Sequence, residues 1–291
     1  MKLNNNLSTT SNLWEAKEEE VLNCLTTLNS PKDQFETILF LPSNIIRKGE
    51  GGLRIKGFYK RRNYQNPLIT IITVVYNDES HIEETILSVI NQSYDNIEYL
   101  IIDGGSTDNT VEIIKKYNDS IDYWVSEKDQ GIYEAMNKGC RLAMGNGLCF
   151  LNSGDKFIGE VFDNNQKLPF IIPCKIKETK KKILNKKLSD KKIGMPSSHQ
   201  AMVFLNKRLL YNLKYKISSD YDYFIRHGVF LNINLKCSGY VLYDNNGFSK
   251  KNLFLRDFET LTIVYNHYGL ISALSFLFSQ SLKLIKKLFK N

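Results

Sequence analysis

LITIITVVY, residues 68–76, is the run on which the fold turns. Largely β-branched and of strand length, it suits a strand buried on both faces rather than on one. Working outward, Glu79 to Ile90 has helical spacing, with Ile82, Ile86, Val89 and Ile90 on one side. IEYLIID (97–103) predicts a second strand and Thr107 to Tyr117 a second helix. IDYWVS from Ile121 predicts a third strand, Ile132 to Met144 a third helix, and GLCFLN (147–152) a fourth strand. Strands and helices alternating at these lengths predict an α/β fold, a Rossmann-like and mainly parallel sheet flanked by helices.

Ligands of such sheets sit at the carboxyl ends of the strands. Three of those ends are polar: Tyr76-Asn77-Asp78, Asp103-Gly104-Gly105-Ser106 and Asn152-Ser153-Gly154-Asp155. In IIDGGSTDNT, Asp103 closes the strand, two glycines permit a tight turn and close ligand approach, and Ser106 to Asp108 can cap the next helix. An acceptor at a strand end suits a base or ribose donor better than a phosphate. Asp155 lies just past a strand, where a carboxylate can hold magnesium or manganese while phosphates supply further oxygens. In SEKDQGIYEAMNKG (126–139), Glu127 and Asp129 occupy a loop, Gly131 opens a helix, and Asn137 and Lys138 lie two turns on. Taken singly, each group reads equally as a capped turn, a turn aspartate or a helix surface.

The four segments TVVYN, IIDGGSTDNT, SEKDQGIYEAMNKG and FLNSGD, in this order and spacing, together resemble glycosyltransferase family 2. The subgroup they look like contains enzymes of bacterial surface-polysaccharide synthesis, including colanic-acid-type transferases. The resemblance is strong from Pro67 to Asp155. It continues through SSHQA (197–201), SSDYDYFIR (218–226) and NNGFS (245–249), and GGLRIKGFYK resembles a lead-in of some members. It implies a GT-A fold with helical N- and C-terminal additions: an extension over 1–66, a transferase domain over 67–250 (a nucleotide-sugar half to 155, an acceptor half from 156) and a helical tail over 251–291.

The resemblance further implies roles. Val75, Tyr76, Asn77, Asp103, Gly105, Ser106, Asp129, Gly131, Asn137, Lys138 and Asn152 bind the nucleotide-sugar, most simply a UDP-sugar, with Asp103 meeting the base. Asp155 matches the last acid of the family's metal motif, which here reads Asn-Ser-Gly-Asp, so one acidic ligand remains for the divalent metal, Mn or Mg. Asp220 matches the catalytic base, with Ser219 in place of the family's usual glutamate; Asp222 is the alternative. His199 and Gln200 match a pair near the diphosphate or acceptor. A metal neutralises the leaving diphosphate as a Lewis acid, and a carboxylate within reach of the acceptor hydroxyl serves as base. One base and one in-line attack give inversion, transferring the sugar to a saccharide or lipid-linked acceptor. The loss of acids from both motifs also suits an inactive sugar-nucleotide-binding partner protein.

Composition sets outer bounds. The chain has 291 residues, 42% hydrophobic and 24% charged, with a formal net charge of +8. That is enough apolar material for a core, and the charge suits polyanions or anionic membrane. The five cysteines are scattered without a CxxC pair, which predicts no disulfide framework or zinc site and a reducing compartment. MKLNNNLSTT lacks the apolar run of a signal peptide, and no run reaches a spanning length, so a cytoplasmic protein is expected. KIKETKKKILNKKLSDKK (175–192) reads as a solvated loop or a contact for anionic lipid. GLISALSFLFSQSLKLIKKLFK (269–290) combines apolar residues at helical spacing with terminal lysines, as an interfacial helix or as a helix packed on the domain. That basic tail suits peripheral binding at the inner face of the plasma membrane. No recognised nucleic-acid module accompanies the charge, so nucleic acid is not an expected partner. Ser11 to Leu28 predicts a helix, and KGEGGLRIKGFYK (48–60) an irregular loop.

Overall fold

The computed structural model describes residues 9, 13–30, 32–61, 66–164, 167–177, 182–183, 194–228, 232–233, 237–244 and 252–288. The basic run over 178–192 lies outside these save for 182–183, as do NNGFS and the last three residues of the tail. The N-terminal part holds β1 (Leu13–Glu15), α1 (Glu18–Leu28), β2 (Gly49–Gly51) and β3 (Phe58–Lys60). The alternating block follows: β4 (Ile69–Val75), α2 (Ile82–Ile90), β5 (Ile97–Asp103), α3 (Thr110–Lys116), β6 (Tyr123–Ser126), α4 (Ile132–Leu142) and β7 (Gly147–Phe150). Beyond it come β8 (Lys156–Ile158), β9 (Phe170–Ile171), β10 (Cys174–Ile176), β11 (Lys182–Ile183), β12 (Met202–Leu205), α5 (Ser219–His227), β13 (Asn232–Ile233), β14 (Tyr240–Tyr243) and α6 (Leu253–Leu288).

The central sheet runs β13-β9-β12-β7-β4-β5-β6-β2. Its middle four strands, β7-β4-β5-β6, are parallel. The flanks are mixed, with β12 antiparallel to β7 and β9, and β2 antiparallel to β6. Every residue of β4 and β5 is buried, as a two-faced strand requires. Alternate residues divide between two cores. Ile72, Val74, Leu100 and Ile102 face α4, α5 and α6, whereas Ile71, Val75, Tyr99 and Ile101 face α2 and α3. A smaller sheet, β11-β10-β14-β8, packs on the second side through Phe157, Cys174 and Val241.

Two expectations change. The first concerns 48–60, which is not an irregular loop. It contributes β2 to the sheet edge, pairing Gly49–Gly51 with Trp124–Ser126, and then a 3₁₀ turn and β3. Arg54 explains this order. Fully buried, it donates to the carbonyls of Leu39 (3.1 Å) and Leu142 (3.0 Å) and pairs with Glu98 at 2.6 Å. A buried ion pair satisfied by these further hydrogen bonds forms only when the segment lies flat against the sheet. The second concerns the helix predicted from Ser11, which begins only at Glu18, because Leu13–Glu15 pairs with β3 instead. Val21 and Leu25 bury against Leu39, Tyr59, Leu68 and Met144 as the apolar side should, while Leu22 faces solvent.

The C-terminal helix is broken at Gly269, whose φ of 78° is non-helical. Its stretch Leu253–Ser281 is long and apolar enough to cross a membrane by length and composition, which the residue count along the sequence had not suggested. One face nevertheless packs on the domain through Glu259, Ile263, Val264, Ala273 and Phe276. The five cysteines are free.

Candidate functional site at the carboxyl ends of the strands

Parallel strands end together, so β4, β5, β6 and β7 deliver their polar ends to one edge. Val75 is buried, and its carbonyl accepts the Gly104 N–H at 2.9 Å. Tyr76 then turns outward and is 63% exposed, the kind of ring a base can stack upon. Asn77 adopts a left-handed conformation, φ 48°. Its N–H donates to Ser106 Oγ (2.7 Å) and its Oδ1 accepts the Thr107 N–H (2.7 Å), stapling the first loop to the second.

Asp103 is fully buried. Its Oδ2 accepts from Gly105 N (3.0 Å), Ser106 N (2.9 Å) and Ser126 Oγ (2.6 Å), and Ser106 Oγ donates to its Oδ1. In this structure the carboxylate therefore organises the turn. Gly104 is required for close approach, since a Cβ there would meet Asp129 Oδ2 at 2.6 Å and Tyr76 Cδ2 at 3.4 Å. Asp129 is in turn fixed by the Gly131 N–H at 2.8 Å. Burial raises its pKa, with Glu134 and Asp103 adding to the rise. Gly131 has open space where a side chain would stand, leaving the start of α4 uncovered.

Other residues of the alternating block brace rather than line the edge. Asn137 exchanges two hydrogen bonds with the backbone of Tyr211, at 3.0 and 2.7 Å, tying α4 to the segment before α5. Lys138 and Arg47 both clamp Glu127, at 2.9 and 3.0 Å. Burial and this pair of cations act oppositely on Glu127, and its pKa is lowered. Lys48 donates to the carbonyls of Gly105 (2.9 Å) and Ser106 (2.8 Å). Arg47 and Lys48 were not legible as site residues, because they precede β2 by sequence and reach the site only through β2 pairing.

At the end of β7, Asp155 is 4% exposed and accepts the Asp244 N–H at 2.9 Å. Burial pushes its carboxyl up to about 7, beside Lys177, Asp244 and Gln200. Asn152 Oδ1 is buried with no hydrogen-bond partner, an unmet acceptor three residues from Asp155. Ser153 Oγ donates to Asp78 at 2.6 Å and joins this loop to the first. Among the described residues no three His, Cys, Asp or Glu side chains gather to hold a metal ion by themselves. The donor set here, one carboxylate and an orphaned amide oxygen, fits a divalent ion that takes its remaining oxygens from a bound diphosphate.

Asp220 stands in the first turn of α5, against Tyr133 at the start of α4. Tyr133 Oη lies 3.4 Å from Asp220 Oδ1 and donates to the Ile217 carbonyl at 2.6 Å. Burial pushes the Asp220 carboxyl up to about 6. Asp222, two residues on, points elsewhere: it is held between Arg226 (2.7 Å) and His267 (2.8 Å). His199 is buried, stacked on Phe150 and hydrogen-bonded to the Tyr211 hydroxyl, and burial lowers its pKa to about 3, so it stays neutral. Gln200 accepts from Ser198 Oγ and lies beside Asp155. The structure thus gathers Tyr76, Asn77, Asp103, Gly105, Ser106, Asp129, Gly131, Asn152 and Asp155 at the strand ends. Asp220 lies against Tyr133 of α4, whereas Asn137, His199 and Asp222 are engaged with Tyr211, with Phe150 and Tyr211, and with Arg226 and His267 respectively.

Comparison with known proteins agrees with this geometry. Residues 70–161 match the family model described as Glycosyl transferase family 2. An uncharacterized glycosyltransferase of Mycobacterium tuberculosis is 42% identical over 94 residues, 32% of this chain and 36% of that protein. The putative teichuronic acid biosynthesis glycosyltransferase TuaG of Bacillus subtilis is 37% identical over 94 residues, 31% of this chain and 37% of the relative. The matched segment therefore spans little more than a third of these relatives' length. In structure, S. aureus TarS 1-349 in complex with UDP-GlcNAc superposes with TM-score 0.52 at 14% identity, over 72% of this chain and 71% of that one. Mannosyltransferase PcManGT from Pyrobaculum calidifontis, in complex with GDP-Man and Mn2+, gives TM-score 0.51 at 15% identity, over 75% and 76%. The fold is the GT-A type, and the family resemblance read from the strand ends holds for residues 70–161.

Proposed function

We propose that the chain is a glycosyltransferase moving a sugar from a nucleotide-sugar, most simply a UDP-sugar, to a hydroxyl of a saccharide or lipid-linked acceptor, with inversion. The observation that carries this reading is a juxtaposition. Four strand ends carry side chains of nucleoside-binding and metal-binding type, and Asp220 stands against Tyr133 in the first turn of the helix that follows the third of them. The match of residues 70–161 and the sugar-nucleotides named with the structural neighbours support it.

In this reading the exposed Tyr76 ring stacks the base, and the loop closed by Asn77, Asp103 and Ser106 frames the nucleoside. Asp155, with the unmet Asn152 Oδ1, would hold a divalent Mn or Mg, which neutralises the departing diphosphate when bound. Asp220 accepts the proton of the acceptor hydroxyl as it attacks the anomeric carbon. A carboxylate whose pKa is lifted to about 6 is ionised at neutral pH yet basic enough for that transfer. A place in bacterial surface-polysaccharide synthesis fits the name of the Bacillus subtilis relative, and a hexosyl donor fits the sugar-nucleotides named with the structural neighbours.

The outward face of α6, with Phe254, Phe258, Ile271, Leu274 and Phe278 exposed, suits peripheral contact with an anionic bilayer from the cytoplasmic side. Flotation with phosphatidylglycerol vesicles, but not with phosphatidylcholine alone, is the expected result. The activity is tested by nucleotide release across a panel of sugar-nucleotides with and without manganese. Turnover that Asp220→Asn abolishes while UDP binding persists supports the reading. Binding with no turnover for any donor and acceptor would instead make the chain a sugar-nucleotide-binding partner.

A further inference from the structure

Glu259 belongs to α6, outside the stretch that carries the family resemblance, yet its carboxylate is 6% exposed and fully engaged. Its Oε1 accepts the Lys216 N–H at 2.8 Å, and its Oε2 accepts those of Ile217 and Ser218 at 2.9 Å each. These three residues lead directly into α5 and Asp220. Amides ahead of and within the first turn of a helix have no helical partner, so an anion that collects three in a row fixes the path of the chain. Two further contacts close the arrangement. Ser218 Oγ donates to the Arg256 carbonyl at 3.2 Å, and Tyr133 holds the Ile217 carbonyl from the opposite side. The segment before Asp220 is thus gripped between α4 and α6.

We propose that Glu259 is a positioning residue: through the amides of 216–218, α6 holds Asp220 in register with the donor edge. This rests on the reading of Asp220 as base. The groups facing Asp220 are Tyr133 from α4, Tyr211 from the segment before α5, and Glu259 from α6. Burial is the main reason the Asp220 carboxyl is raised, and the Glu259 charge adds to the rise. Residue 259 therefore acts on both the place and the basicity of residue 220, without touching the donor loops.

Glu259→Gln keeps the size and removes the charge. Expected are an about tenfold fall in kcat, an unchanged donor KM, and an acid limb of the kcat profile displaced to lower pH. Glu259→Asp, which restores the charge, should return the limb toward the parent value. An unmoved limb, or a loss of kcat shared equally with Glu259→Asp and matched by a loss of Tm, overturns the proposal in favour of simple packing. Should Asp220→Asn retain full turnover, the base assignment fails on its own. Amide exchange at 216–218 in Glu259→Gln then still decides the holding role, with unchanged protection counting against it.

Discussion

At the amino ends of β4 to β7, acids are met by cations of the same chain. Glu98 takes Arg54 at 2.6 Å, Thr70 Oγ1 at 2.5 Å and Met144 N at 2.8 Å. Asp122 takes the Tyr99 N–H at 2.7 Å with the buried Lys60 beside it. At the carboxyl ends Glu127 is held by Lys138 and Arg47, but the buried Asp103 and Asp155, and the half-buried Asp220 of α5, form no salt bridge among the described residues. Glu98 and Asp122 on the one hand, and Asp103, Asp155 and Asp220 on the other, are thus similar side chains in different states. Glu98, neutralised by Arg54, locks the extension onto the sheet, whereas in the proposed reading the acids without a salt bridge are those left for an incoming cation, sugar hydroxyl or base.

The comparison breaks most readily at the lower end. Arg54→Met leaves Glu98 charged and buried without its partner, an expected loss of about 3–5 kcal/mol in urea or thermal unfolding. The pair Arg54→Met, Glu98→Gln should recover much of that loss, because no lone charge remains. If the single substitution is neutral, the lower end is not locked by charge.

At the upper end the same kind of change should cost activity and not stability. Asp220→Asn is expected to lower kcat by about 10²–10⁴-fold. Its effect on stability has the opposite sign to that of Arg54→Met. The folded carboxyl is raised to about 6, above the unfolded value, so the protonated form stabilises the fold at acid pH and that contribution is lost as pH rises through about 6. Asp220→Asn does not ionise, so its Tm should match the parent near pH 4 and exceed it near pH 8. A variant less stable than the parent at pH 8 would place Asp220 with the structural acids.

How far this contrast could be read from sequence differs between the ends. LITIITVVY and IEYLIID identify themselves, because burial on both faces favours mainly apolar and β-branched runs, and their polar successors mark the expected ligand edge. Arg54 does not: a basic residue in GGLRIKGFYK looks solvated, and its burial depends on Glu98, 44 positions away. Glu259 is hidden in the same way within an apolar helix, since what it binds is backbone and leaves no trace in composition. Antiparallel flanks such as β12 escape notice because strands of two to four residues carry too little periodicity.

A smaller effect tests the donor edge itself. Gly104→Ala drives a methyl group against Asp129 Oδ2, so one loop must shift. Overpacking of this order costs about 1–3 kcal/mol, and it should appear mainly as a raised donor KM, read by nucleotide titration at constant acceptor. An unchanged KM with lowered Tm would mean that Gly104 serves only the turn.

The smallest expected effect lies where the two regimes meet. Lys48 comes from the same extension that Arg54 locks at the lower end, yet its ammonium caps two carbonyls, Gly105 and Ser106, at the upper end. It is exposed, so Lys48→Met should change stability by less than about 1 kcal/mol. What it removes is a fixed cation on the loop proposed to frame the nucleoside, and a looser loop binds its ligand less well without altering the chemical step. The expected outcome is a donor KM raised severalfold at unchanged kcat, with Lys48→Arg nearer the parent. Equal kcat and KM in Lys48→Met would confine the extension to the lower end of the sheet, and a fall in kcat alone would tie it to the acceptor side.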